Sequence, residues 1–201
     1  EMLADVTVVA RHTAHQVILA ANLNSPAAVD LLTPDGQRLR STPVGLAYRE
    51  AGSGRTALLA EVRDCRAQWV SPTEVLYSDA FDAVAADVRF SIGLDRFEQD
   101  VIFRAAPPAP ERFGLDPNRT ELVVLTEFLE TMAPVQADGE APGWLRFGAM
   151  AMAPGRAFTT GTRTASSAVD DDEEAATQVL PPGGVPVAKS WEAIEGRTFL
   201  V

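Results

Sequence analysis

Cysteine is almost missing from this chain: Cys65 is the only one in 201 residues, so no internal disulfide forms and at most a bridge to another chain is open to it. Many bacterial surface proteins use few cysteines, so the compartment is not decided by this count. No apolar run approaches the ~20 residues of a bilayer span, which excludes a membrane helix. Basic residues are scarce against acidic ones, 17 to 28, for a formal charge of −11. A duplex demands a lysine and arginine surface, so nucleic acid is not the expected partner. Nucleophile motifs are absent as well: there is no G-x-S-x-G, and Cys65 sits between Asp64 and Arg66 without a histidine nearby in sequence. The phosphate-cradling G-x-x-x-x-G-K pattern is missing, and Gly52-Ser53-Gly54 reads as a hairpin turn. No long amphipathic helix emerges from the spacing of apolar residues.

What the chain does have is alternation. Val84, Ala86, Val88, Phe90 and Ile92 recur at every second position, with Ala85, Asp87, Arg89 and Ser91 between them. A period of two is the mark of a strand with one buried face. Gly93-Leu94-Asp95-Arg96 supplies a tight turn with a residue free to take positive φ, and Phe97, Gln99, Val101 and Phe103 resume the pattern. Val75 to Arg104 is therefore expected to be two long strands and a turn around which the rest is organised.

Other pairs follow in order. Val6 to Ala10 and Gln16 to Ala21 flank the link 11–15, and Ala28 to Thr33 turns through Pro34-Asp35-Gly36-Gln37 into Arg38 to Thr42. Val44 to Glu50 and Thr56 to Asp64 flank 51–55, with Leu58, Ala60 and Val62 expected on one face. The proline-rich segment 105–112 is a candidate boundary, or else a stiff crossover between two sheets of one sandwich. Glu121 to Glu130 fits helix or strand, and strand is preferred because everything around it is β. Trp144 to Met152 alternates into a turn at 153–156 before Ala157 to Thr160, and Val185 to Ile194 opens a final hairpin that turns at Glu195-Gly196. Thr162 to Gln178, with five adjacent carboxylates at Asp170, Asp171, Asp172, Glu173 and Glu174, is expected to be a mobile surface loop. Roughly twelve strands with glycine and proline in the connections predict an all-β, antiparallel β-sandwich, the alternative being an extended multi-sheet arrangement.

Each candidate site has a plain alternative. His12 and His15 are the only histidines; zinc generally needs four ligands, so a solvated turn is expected there and no metal. The run 170–174 lacks the alternate spacing and glycine of a calcium loop and reads as a solvated tether. Asp79, Asp82, Asp87 and Asp100 lie along the central strands, where calcium or acid–base chemistry competes with the simpler reading of a wet face. Asn118-Arg119-Thr120 matches a glycosylation sequon, a pattern common by chance. Trp69, Tyr77, Trp144 and Trp191 would stack sugar rings if two or more were exposed on one surface, and otherwise fill the core. No catalytic, cofactor or metal residue is assigned.

Tyr77-Ser78-Asp79-Ala80-Phe81, Ala86-Asp87-Val88-Arg89-Phe90 and Phe97-Glu98-Gln99-Asp100-Val101-Ile102-Phe103 together form a strand-turn-strand segment. It resembles one in the non-repeat, β-rich regions of very large secreted bacterial proteins, including those with Rhs or YD repeats. Gly148 to Thr160 and Pro186 to Val201 are more loosely similar to pieces of comparable surface proteins. The resemblance implies an extracellular or cell-surface location and a modular architecture, and it brings no catalytic residues. With no signal peptide ahead of Glu1 and an apolar strand at Val201, the expectation is a piece of a longer chain. A non-catalytic structural or accessory module is the expected function, with other domains of that chain, a glycan or a surface protein as partner. A carbohydrate-binding module and a glycan-processing enzyme domain are the alternatives.

Overall fold

The computed structural model describes residues 8–10, 14–135, 144–158 and 184–201. Among them the chain forms sixteen strands and no α-helix. In order these are β1 (Val8–Ala10), β2 (Gln16–Leu19), β3 (Val29–Leu32), β4 (Arg38–Glu50), β5 (Thr56–Glu61), β6 (Ala67–Ser71), β7 (Glu74–Tyr77) and β8 (Ala86–Ile92). They continue with β9 (Phe97–Phe103), β10 (Thr120–Leu129), β11 (Leu145–Phe147), β12 (Met150–Met152), β13 (Gly155–Ala157), β14 (Val185–Val187), β15 (Trp191–Ile194) and β16 (Arg197–Leu200). The strand pairings are antiparallel throughout.

The first sheet runs β1-β2-β3-β4-β10-β16-β15, with β5 also on β4, and the second is the meander β6-β7-β8-β9. Their inner faces make one apolar cluster: Val17, Leu19 and Leu46 from the first meet Tyr77, Val88 and Phe90 from the second. This is the sandwich-like arrangement expected of the sequence. Two corners are stitched by backbone bonds. At one, the Leu23 N–H donates to the Cys65 carbonyl and the Ala67 N–H to that of Ala21; at the other, Arg63 donates to Ala80 and Asp82 to Glu61. The Tyr77 hydroxyl, which a buried phenol must satisfy, donates across the core to the Ala20 carbonyl at 2.5 Å. Residues 104–119 cross from β9 back to β10, and there Tyr48 donates to the Pro108 carbonyl at 2.8 Å.

β4 is the spine. Arg38 to Ser41 pair with β3 and Gly45 to Arg49 with β5 along one edge, while β10 covers the other edge from Arg40 to Glu50. The sequence suggests two strands here, interrupted at Pro43. Instead one strand runs through it, because the ladder is already broken at that point: β3 gives way to β5, and Val44 bulges out between the pairs Thr126–Pro43 and Leu125–Gly45. A proline, lacking its N–H, fits such a place. The Thr42 hydroxyl fills part of the gap, accepting from the Ala28 N–H and donating to the Ser25 carbonyl.

Other differences have equally local causes. Val75 to Arg104 holds three strands rather than two, because β7 separates from β8 and the alternation at Val84 precedes the strand itself. Within β8, Ala86, Val88, Phe90 and Ile92 are buried as the period predicts. The β8–β9 turn closes by Gly93 to Arg96, but Gly93 is outside the left-handed region; a Cβ there would lie 2.8 Å from Arg96 Cγ, so the glycine leaves room instead. In β5 the shared face of Leu58, Ala60 and Val62 fails: Leu58 is 54 % exposed while Leu59 is buried. A bulge between the pairs Leu46–Ala60 and Ala47–Leu58 moves the alternation by one residue. Trp144 to Met152 is a hairpin turning at Gly148, φ 57°, and residues 155–157 are a strand on β14 rather than part of a turn. Glu121 to Glu130 is strand, paired on both sides by β4 and β16. The final hairpin turns at Glu195-Gly196 as expected, with φ 51° and 78°, the primed turn that suits a two-residue hairpin, and its last strand lies between β10 and β15.

Candidate functional site

The four aspartates singled out along the central strands are all engaged in holding the frame. Asp79 sits in the left-handed region, φ 50°, where Arg104 donates to its carboxylate and Arg63 Nε to its carbonyl at 2.6 Å. Asp87, buried on the outer side of β8, accepts from the Asp79 N–H at 2.7 Å and lies 3.4 Å from Arg104 Nε. Asp82 accepts from the Glu61 N–H at 2.9 Å, joining the two sheets. Asp100 accepts from Arg89, its cross-strand neighbour, at 2.8 Å, and Glu74 lies 3.3 Å from the same guanidinium. Oxygens spent on arginine and backbone donors are poorly placed to take or give a substrate proton.

A further pair of carboxylates escapes the sequence. Glu127 on β10 and Glu192 on β15 flank Phe199 of β16 in register, on the outer face of the first sheet. Two strand spacings put their Cα atoms about 10 Å apart. Arg197 grips Glu127 with Nε at 2.6 Å and a terminal nitrogen at 2.5 Å, and its guanidinium lies 5.2 Å from the Phe199 ring centre. Arg49 grips Glu192 at 2.7 and 2.8 Å. Those arginine hydrogen bonds hold both carboxyls below the usual glutamate range, so neither keeps a proton near neutrality to act as a general acid. No local pattern marks them, because their arginine partners are 70 and 143 residues away in the chain.

His15 is buried at the junction of β2 with the β8–β9 turn, where the neighbouring Ala14 N–H donates to the Leu94 carbonyl at 2.8 Å. It is not the solvated residue the sequence suggests. Burial lowers its pKa, opposed by an Arg96 backbone hydrogen bond and the Asp95 charge. His12 and the acidic run 170–174 lie outside the described residues. Among the described residues no three His, Cys, Asp or Glu side chains converge as metal ligands. Burial pushes the Cys65 thiol up to about 11, which leaves little thiolate for nucleophilic work. Asn118 occupies the turn before β10, where its N–H and side-chain amide both donate to Asp116.

The aromatic candidates separate. Tyr77 is fully buried, and Trp191 packs on Phe128 and Phe147 at 4.8 and 5.5 Å between ring centres. Trp144 is half-buried, and only Trp69 stands out, 54 % exposed on the edge strand β6 beside exposed Val70. A sugar-stacking platform of several named rings is therefore not assembled.

Among the described residues a shallow depression of about 210 Å³ lies across β2, β3 and β4, lined by Gln16, Ile18, Asp30, Leu32 and Arg38. Ile18 and Leu32 are its apolar members, and Arg38 Nε donates to Asp30 at 2.7 Å on its margin. No family model, curated protein or solved structure matches this chain. No helix among the described residues is long and apolar enough to cross a membrane.

Proposed function

We propose that the chain is a non-catalytic structural or accessory module of a large secreted or surface-attached bacterial protein, working through contacts with other domains of that protein. The observation that supports this reading is the commitment of the acidic side chains: Asp79, Asp82, Asp87, Asp100, Glu127 and Glu192 each bind an arginine or a backbone amide that holds strands together. Two experiments test it. Fractionation of source cells with an antibody to the chain is expected to find it in the medium or on the surface, and confinement to the cytosol refutes the location. A panel of glycosides is expected to be left intact, and turnover abolished by Glu192→Gln or Glu127→Gln refutes the non-catalytic half. Carbohydrate binding is the second reading, and it rests on exposed Trp69. Binding on a glycan array that disappears in Trp69→Ala would replace the first reading with it.

A further inference from the structure

Pairing places Arg49 level with Glu121 on β10, whereas Glu192 is level, through Phe199, with Glu127. On a flat sheet these positions stand about 20 Å apart along the strands and about 14 Å across them, at ~3.3 Å per residue and ~4.8 Å per strand. Arg49 nonetheless donates twice to Glu192, at 2.7 and 2.8 Å, and the Ser190 hydroxyl donates to the same carboxylate at 2.5 Å. The two corners meet because a twisted sheet is saddle-shaped, and along this diagonal it curls toward its outer side. Ala47 and Phe199, both on that side, are buried without belonging to the core cluster between the sheets.

Besides Arg197, which binds Glu127 of β10 on the same outer face, the hold on the β15–β16 hairpin is slight on its backbone side. β16 meets β10 through three residue pairs, against ten between β4 and β10, and β15 lies at the end of the sheet order. On the inner side the hairpin is held by Trp191 against Phe128 and Phe147. We propose that the Arg49–Glu192 pair is an electrostatic latch that keeps the C-terminal hairpin closed on the curled sheet, and that ionic strength sets how often it opens. The side chains are 31 and 28 % exposed, so dissolved ions reach the pair and screen it. Opening uncovers the β10 edge over Thr126 to Phe128 and the stacked Phe128–Phe147 rings.

Amide hydrogen exchange of the whole chain, read by mass spectrometry, tests this. Arg49→Ala is expected to speed exchange in 191–200 by at least about fivefold while β7 and β8 keep their rates. About 1 M salt should speed exchange more in the unaltered protein, which loses both outer-face pairs, than in the variant, which keeps only Arg197 on Glu127. Arg49→Glu combined with Glu192→Arg should restore slow exchange. The salt series on the unaltered protein needs no variant to fold. Unchanged exchange in 191–200, an equal change in β7 and β8, or equal salt response in both proteins overturns the latch.

Discussion

Phe90 and Arg89 are neighbours in the chain and opposites in the fold, and substituting each by alanine measures how far the second sheet is one-sided. The Phe90 ring is fully buried on the inner face of β8, stacked on Phe97 at 5.5 Å and edge-on to Tyr77 at 5.8 Å. An aromatic side chain buries roughly 150–250 Å², worth about 4–6 kcal/mol at ~25 cal/mol per Å². Alanine keeps its Cβ in place and unfolded chains already hide some surface, so the expected loss is about 4 kcal/mol, within the usual range for such truncations. That is a large share of the ~5–15 kcal/mol a domain typically has. Arg89 points outward to Asp100 and Glu74 with its side chain 30 % exposed. Partly screened pairs of this kind contribute up to about 1 kcal/mol, so Arg89→Ala is expected to lose no more than that. Urea titration reads both, as a shift of midpoint at constant slope. Equal losses would mean that the outer face of β8 is covered too, and two negligible losses would mean that β8 is peripheral. Either result refutes a core built on one face of β8.

Gly148 has φ 57°, and a Cβ there would collide with Asp35 Oδ2 and lie 2.5 Å from Gln37 Nε2. Gly148→Ala is expected to loosen the β11–β12 hairpin and lower the thermal midpoint, whereas Gly36→Ala, φ 86° with open space around it, should lose only the backbone cost, about 1 kcal/mol. Equal shifts would discount the contact. His15 titrates lower when folded than its ordinary 6.5, so the unfolded chain takes up the proton first. Stability is full well above 6.5 and falls as the pH drops through and below that value, and His15→Gln should flatten this slope; an unchanged slope assigns it to other groups. With its thiol near 11 against an ordinary 9.0, Cys65 should react with a disulfide reagent at about pH 8 roughly a hundredfold more slowly than in the urea-unfolded chain. Equal rates would show that burial does not protect it.

The parts of the fold that were legible in the sequence depend on residues close together. Alternation over Val84 to Ile92 sets the inner face of β8, and Pro34-Asp35-Gly36-Gln37 places the β3–β4 turn, with φ 86° at Gly36. Bulges are where local pattern fails, since one extra residue at Leu59 or Val44 inverts the phase without any mark in composition. Pro43 reads as a break because its acceptability depends on β3 and β5 meeting end to end, a fact of tertiary structure. The carboxylates show the same divide. Asp100 faces Arg89 across a hairpin and is nearly predictable, whereas Glu192 with Arg49, and Asp79 in the turn after β7 with Arg104 just past β9, join segments whose adjacency no spacing discloses.

The end-to-end neighbours of β4 also order events in time. β3 and β5 lie within a few residues of β4 in the chain, so these three strands zip together by closing short loops, at small entropic cost. β10 begins at Thr120 and β16 at Arg197, and both must close long loops before their pairing repays the loss of freedom. During synthesis the stretch from β2 to β5 has left the ribosome seconds before β10 exists, at ~5–20 residues per second. For that interval the edge of β4 that β10 will occupy is an unfilled template.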